Sequence, residues 1–308
     1  MRVIIPGASG LIGRNILLGA PQSWEIVAVY RNDENFPSFV EELNSGRIET
    51  QKCNLLNPND LRLLTKKNGS KYDLCIFLAA NSDPSLSDDK PVFDLESNVK
   101  TLINFAEQVK VERFLFFSSG AVYEGLEGVV SPAKCVSPTL PYAISKVASE
   151  SYVKHFKKKG RITEYMIARF FGAYGPHEHP RKIYTKLVKQ FFSQRNPEFT
   201  MRGNGKNIID AMYVDDAING IIKIASSPFD NSTIDFCCGN PMTIQDLITK
   251  AAEIFGINEP CIIQQGETAE FNSFWGDPTP FTQHYRFKPK VELAEGLHRL
   301  AEFLGDKR

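Results

Sequence analysis

The sequence predicts an α/β fold: a doubly wound parallel sheet followed by a smaller mixed α/β C-terminal lobe. Three observations carry this expectation. Short apolar runs alternate with helix-patterned segments through the first half, and a glycine-rich turn separates the first strand from the first helix. After residue 170 the chain becomes irregular and dense in Gly, Pro and His. Strand–helix alternation at this spacing implies right-handed βαβ units, with helices covering both faces of the sheet.

Taken in order, the expected strands are Val3 to Ile5, Ile26 to Tyr30, Leu74 to Leu78, Phe114 to Phe117 and Thr163 to Arg169. Helical patterns run over Leu11 to Leu18, Asn59 to Lys67 and Val92 to Val109, and later over Ile183 to Ser193, Asp215 to Ala225 and Thr243 to Phe255. The segment "FGAYGPHEHP" reads as a loop leaving the sheet, and "IIDAMYVDDA" as a return to it. Residues 1–171 with about 206–236 are expected to form the dinucleotide-binding part, and about 172–205 with 237–308 the substrate lobe.

Composition narrows the function classes. The chain has 308 residues, 42% hydrophobic and 23% charged, a profile that excludes a disordered protein. Thirty-six basic residues balance thirty-six acidic ones, which argues against a nucleic-acid partner. No apolar run is long enough for a membrane span or a signal peptide, so a cytoplasmic location is expected. The six cysteines show no CxxC pair, and buried free thiols are the expected reading. His177, Glu178 and His179 in "GPHEHP" read as a surface turn, and no metal is expected.

"VIIPGASGLIGRN" places Gly7, Gly10 and Gly13 between the first strand and the first helix. The first glycine permits the tight turn, the second lets backbone approach a pyrophosphate, and the third lets helix pack on strand. The helix N-terminus offers unpaired N–H groups to the phosphates. Ser9, Leu11 and Ile12 share this loop, and the sheet is accordingly Rossmann-type. At the end of the second strand stand Arg31 and Asn32, where an NAD-preferring site usually places an acid. A guanidinium suits a 2′-phosphate, which favours NADP; Asp33 contacting the ribose is the alternative.

"RFLFFSSGAVYEG" ends an apolar run in Ser118 and Ser119, at the C-terminal end of a strand where ligands of open α/β folds bind. Further on comes "PYAISKVASE", with Tyr142 and Lys146 four residues apart on one helix face. A free tyrosine is a poor base at neutral pH. A lysine ammonium one turn away favours its phenolate, and a serine hydroxyl can hold a substrate oxygen.

Through GASGLIG, LAAN (Leu78, Ala79, Ala80, Asn81), Asn98-Val99, SSGAVY, YAISK, ARFFGAYGP and MYVDDA, the chain resembles the extended short-chain dehydrogenase/reductase family over nearly its whole length. The resemblance implies Ser119, Tyr142 and Lys146 as catalytic residues. It places Asn54, Leu55, Leu78, Ala79, Ala80, Asn98, Ser118 and Phe170, with Tyr142 and Lys146, against the cofactor. Asn81, Ser119, Gly120, Ala121, Tyr142, Gly172 and Arg202 are its implied substrate contacts. It also implies a nucleotide-sugar substrate and a homodimer; apolar residues at 143, 144, 147 and 148 are compatible with a helical interface and equally with the core.

The chain departs from the family pattern at Gly172, where many members carry Asn, and at Ile209, where many carry a phosphate-binding Arg. Either another cation substitutes, with Arg202 and Lys206 nearest in sequence, or the substrate is not an ordinary nucleotide diphosphate sugar. Gly120 and Ala121 stand where 4,6-dehydratases usually carry an Asp-Glu pair, which disfavours that reaction. The expected activity is a nucleotide-sugar epimerase, with an NADPH-dependent keto-sugar reductase as the alternative. A non-catalytic NADP-binding regulator would have no need of Tyr142 and Lys146. Aromatics in "EFNSFWGDPTPF" are candidates for stacking on a base, and Asp277 for positioning a helix.

Overall fold

The structure, a computed structural model, describes residues 1–266 and 273–305. Its central sheet holds β1 (Arg2–Pro6), β2 (Glu25–Tyr30), β3 (Ile48–Lys52), β4 (Lys71–Phe77), β5 (Lys110–Ser119), β6 (Ile162–Phe170) and β7 (Ser232–Phe236). All adjacent pairs are parallel, in the order β7-β6-β5-β4-β1-β2-β3. The winding reverses between β1 and β4, and that reversal opens a crevice at the C-terminal ends of the strands.

Alternating side chains feed two apolar layers. Val3 and Ile5 of β1 and Leu115 and Phe117 of β5 face one cluster; Ile4, Phe114 and Phe116 face the other. The second layer is closed by α3 (Pro58–Asn68), α4 (Thr101–Gln108) and α5 (Pro141–Lys158), which supply Leu61, Leu64, Leu102, Phe105, Val153 and Phe156. Phe77 sits at its centre, 5.5 Å from the Phe105 ring and 5.7 Å from Phe114. Each such buried phenyl contributes roughly 1.5–3 kcal/mol. The first layer packs under α1 (Leu11–Gly19) and α6 (Val214–Ser226). It runs without a break into the later segment, through Leu187, Phe191, Leu247 and Leu300.

The return to the sheet follows the expected stretch. Ile208–Ile209 pairs with Met242–Thr243, Met212–Tyr213 pairs with Ala173–Tyr174, and α6 then leads into β7. Asp216 accepts from the backbone N–H of Lys290 and of Val291, each at 2.8 Å, and so ties α6 to the chain before α7 (Leu293–Gly305). Asp277 Oδ1 accepts from Thr279 N at 2.9 Å, at the start of the helix Thr279–Tyr285.

Four expectations are corrected. Strands β3 and β7 were not anticipated; both lie at sheet edges. The expected helix from Val92 to Val109 is broken into Pro91–Leu95, a π-helical turn at Glu96–Lys100, and α4. The extra residue in that wider turn brings Ser97, Asn98 and Val99 inside. Likewise Ile183–Leu187 gives way to a π turn at Val188–Ser193. All six thiols are free, but only Cys53, Cys75 and Cys237 are buried, Cys238 is half-buried, and Cys135 and Cys261 are exposed.

Glycine is required at position 13 by packing. A Cβ there would lie 2.4 Å from Ala8 O and 2.5 Å from Ala8 Cα, backbone atoms that cannot swing away. Gly13→Ala is therefore expected to destabilise the protein by about 1–3 kcal/mol, read from the midpoint of urea unfolding at unchanged m-value.

Candidate active site

One cleft of about 1900 Å³ runs along the crevice at the switch of strand order. The β1–α1 turn forms its floor. Gly7 adopts φ +87°, and a Cβ on it would fall 2.6 Å from Ala79 N, so only glycine lets the turn touch the end of β4. Gly10 caps α1 without a side-chain hydrogen bond, and the first turn of α1 carries no acid. Its backbone N–H groups thus meet the cleft with their partial positive charge uncancelled. A glycine-lined contact leading to an uncapped helix N-terminus fits the pyrophosphate of a dinucleotide.

At one end of this floor, Arg31 is exposed and lines the cleft with Asn32. Asp33 Oδ2 is paired with Arg14 NH2 at 2.7 Å, and its Oδ1 accepts from Asn35 N at 3.1 Å. The Arg14 guanidinium lies over the rings of Phe36 (5.2 Å) and Phe39 (4.5 Å), the first in and the second on α2 (Phe36–Glu42). Asn54 and Leu55 line the same region, with Asn54 Oδ1 accepting from Leu56 N.

Toward the middle of the cleft stand Ser119, Tyr142 and Lys146. Ser119 closes β5 and its Oγ accepts from Ala121 N at 3.1 Å, starting the turn Gly120–Tyr123. Just beyond, Glu124 accepts from Thr139 N and Leu140 N at 2.6 and 3.0 Å, fixing the entry to α5. Pro141 occupies the first turn of α5, where its missing N–H is no loss. Tyr142 N donates to Ser87 Oγ at 3.1 Å.

One turn up the same helix face, Lys146 Nζ donates to Phe117 O at 3.0 Å and lies 5.8 Å from the centre of the Tyr142 ring. Burial pulls Lys146 down to about 8, opposed by the carboxylates of Asp94 and Glu150. Burial pushes the Tyr142 phenol above its ordinary value; a hydrogen bond with Ser119 works the other way, and Asp94 adds to the rise.

α5 is locked to the sheet by charge. Glu150 pairs with Arg169 of β6 through two hydrogen bonds, at 3.0 and 2.9 Å, and accepts from Ser118 Oγ at 2.6 Å. Ser118 thus lines the cleft, but its hydroxyl donates a hydrogen bond to Glu150.

Some expected contacts lie elsewhere. Asn98 is buried behind the cleft wall, bonded to Asp94, Asn81 N and Ser145, and is not in the cleft lining. Asn81 lines the cleft, but its amide is engaged by Asp94 Oδ1 and Asp83. Arg202 is at the exposed end of Glu198–Arg202, a strand paired with Cys261–Gln265, and neither it nor Lys206 lines the cleft. Gly172 does line it, at φ +130°, with Ala211 Cβ 3.4 Å from where a Cβ would be. Ser9, Leu11, Ile12, Leu78, Ala80, Gly120, Ala121 and Phe170 all line it.

Sequence reasoning missed two cations. Arg181 and Lys182 line the cleft from the loop after Pro176, bonded to Asp83 Oδ2 at 2.5 Å and Ser82 O at 3.2 Å. The signal was in the sequence, one residue past "GPHEHP". Glu178 of that loop accepts from Thr185 N and Oγ1, and burial pushes its carboxyl up to about 7. The His177 ring lies edge-on to Phe39 and Phe303, and among the described residues no group of three or more His, Cys, Asp or Glu gathers to hold a metal. Of the aromatics considered for base stacking, Phe271 lies outside the described residues. Phe274 lines the cleft, 6.0 Å from the Tyr123 ring.

Known proteins are similar to this chain in sequence and in fold. A Bacillus subtilis protein, an uncharacterized UDP-glucose epimerase, is 24% identical over 200 residues; the alignment takes in 65% of this chain and 62% of that protein. The UDP-glucuronic acid 4-epimerase of Bacillus cereus, solved with UDP-glucuronic acid and NAD, superposes with a TM-score of 0.86 at 22% identity, over 100% of both chains. A dTDP-glucose 4,6-dehydratase of Streptomyces venezuelae gives 0.88 at 20% identity, over 100% of this chain and 98% of that one. The model of the NAD dependent epimerase/dehydratase family matches residues 3–239, from the first strand to the turn after β7. With the glycine floor, the serine at the end of β5 and the Tyr–Lys helix all inside that match, the chain belongs to the NAD dependent epimerase/dehydratase family.

Proposed function

We propose that this chain is a nicotinamide-dependent nucleotide-sugar epimerase. The observation that carries the reading is the convergence of Ser119, Tyr142 and Lys146 on one cleft whose floor is the glycine turn. A nicotinamide dinucleotide held by that floor would accept a hydride from a sugar carbon and return it. Tyr142 takes the proton of the sugar hydroxyl as the C–H bond breaks, and gives it back when the alcohol reforms. Ser119 holds the reacting oxygen in line. Lys146, charged below about pH 8, favours the phenolate that burial disfavours. Gly120 and Ala121 bring no acid or base to the sugar, which sets this cleft apart from one that eliminates water.

The structural neighbours whose names specify UDP-glucuronic acid or dTDP-glucose support a nucleotide diphosphate on the substrate. Arg181 and Lys182 are the cleft cations suited to it in place of the guanidinium absent at Ile209. NADP is the proposed cofactor. Arg31 faces the cleft unopposed by Asp33, which is already committed to Arg14. The same observation favours a second reading, an NADPH-dependent keto-sugar reductase. A homodimer is proposed through the exposed apolar side chains Val92, Leu95, Ile144 and Tyr152, carried by Pro91–Leu95 and α5, which pack on each other.

Four measurements test these assignments. Tyr142→Phe is expected to lower kcat for interconversion of a nucleotide sugar, followed by NMR, by about 10²–10⁴-fold with substrate affinity retained; intact turnover overturns the mechanism. Nicotinamide fluorescence that survives desalting supports the recycling epimerase, whereas an empty protein that consumes added NADPH supports the reductase. Arg31→Asp is expected to weaken NADP binding at least tenfold relative to NAD by titration calorimetry. Arg181→Ala is expected to raise KM for the nucleotide sugar about tenfold while kcat falls less, because a charge-assisted contact to a diphosphate is lost.

A further inference from the structure

A second carboxylate stands behind the Tyr–Lys pair. Asp94, in the short helix Pro91–Leu95, is wholly buried and has no ion-pair partner among the described residues. Its Oδ1 accepts from Asn81 Nδ2 at 2.8 Å and from Asn98 Nδ2 at 2.9 Å, while its Oδ2 is buried without a hydrogen-bond partner. Asn98 Nδ2 also donates to Ser145 Oγ at 2.8 Å, and Ser145 Oγ donates to Tyr142 O at 2.9 Å. Asp94 is therefore the hub of a bridge from Asn81, on the cleft wall, to the first turn of α5.

A buried carboxylate with one oxygen unpaired is costly unless a cation faces it. The charged groups around it identify that cation. On α5 these are Lys146, Tyr142 and Glu150, and Glu150 is already held by Arg169 and Ser118. On the neighbouring helix Pro84–Asp89, Asp88 and Asp89 are exposed, as is Lys90 beside it. On the π turn, Glu96 and Lys100 pair with each other in solvent, and Asp83 is taken by Arg181. Lys146 is the cation left to answer Asp94.

We propose that Asp94 is a positioning residue of this active site, the buried anion that faces Lys146 and Tyr142 and holds the first turn of α5 through Asn98 and Ser145. The inference rests on Tyr142 and Lys146 being the reacting pair. Its negative charge supports the Lys146 ammonium and opposes the Tyr142 phenolate, so it raises the proton affinity of both.

The sign of the test follows. Asp94→Asn is isosteric and keeps an acceptor for Asn81 and Asn98, but removes the charge. Both limbs of the pH profile of kcat/KM are expected to move to lower pH, because removing the anion lowers the proton affinity of Lys146 and of Tyr142 together. Relative to wild type, activity then rises on the acid side and falls on the alkaline side. A drop in melting temperature with both limbs unmoved would reduce Asp94 to a packing role and overturn the proposal. So would limbs that move in opposite directions. An independent readout uses the full chain without substrate. Tyrosinate absorbance at high pH, taken as the difference between each protein and its Tyr142→Phe counterpart, isolates Tyr142. Its midpoint is expected to fall in Asp94→Asn, and an unshifted midpoint sinks the idea even where Tyr142→Phe abolishes turnover. If Tyr142→Phe retains turnover while the midpoint still moves, the parent mechanism fails instead.

Discussion

The ion pair between Glu150 and Arg169 is the contact on which the site depends. Both side chains are nearly inaccessible, at 4% and 7% exposure, so neither charge is relieved by water. Burying such a pair is not in itself a strong source of stability, because desolvation offsets most of the attraction. What it supplies here is position. Two hydrogen bonds to one guanidinium and a third from Ser118 leave α5 a single height and rotation against β5 and β6. Tyr142 and Lys146 lie two turns and one turn before Glu150 on that helix, and Ser119 follows Ser118 on the strand. The placement of Ser119, Tyr142 and Lys146 is thus inherited from a salt bridge one layer below them.

The parts of the fold that were legible were those where local pattern and burial agree. The central strands β1, β4, β5 and β6 are continuous apolar runs because both of their faces are covered. The strands β3 ("IETQK") and β7 ("STIDF") stand at sheet edges, are more polar, and gave no such run. The break at Glu96–Lys100 was hidden for a different reason. A π turn shifts the face by one residue without any Gly or Pro to announce it, and only the inward turn of Asn98 reveals it.

The site divides in the same way. Glycines and the Tyr–Lys spacing are imposed by backbone geometry and by one helix, so sequence order carries them. Cations that meet a ligand from another loop are set by tertiary path. Arg202 was near Ile209 in sequence, yet strand pairing with Cys261–Gln265 takes it off the cleft, while Arg181 and Lys182 reach it from thirty residues upstream of the gap. Asp94 is the sharpest instance. As one acid in a half-exposed helical pattern it carried no signal, and its meaning comes from Asn98 and Ser145, which join it to the first turn of α5.

The sandwich of His177 between Phe39 and Phe303 has a kinetic side. The two rings lie 5.1 and 5.0 Å from the imidazole and approach it edge-on, joining three segments separated by more than a hundred residues at each step. Contacts of such sequence separation carry the full entropy of loop closure before they return any energy. Phe39, His177 and Phe303 all border the cleft. This wall of the cleft is therefore complete only when the helix Leu293–Gly305 is docked, so its integrity is bound to the far end of the described chain.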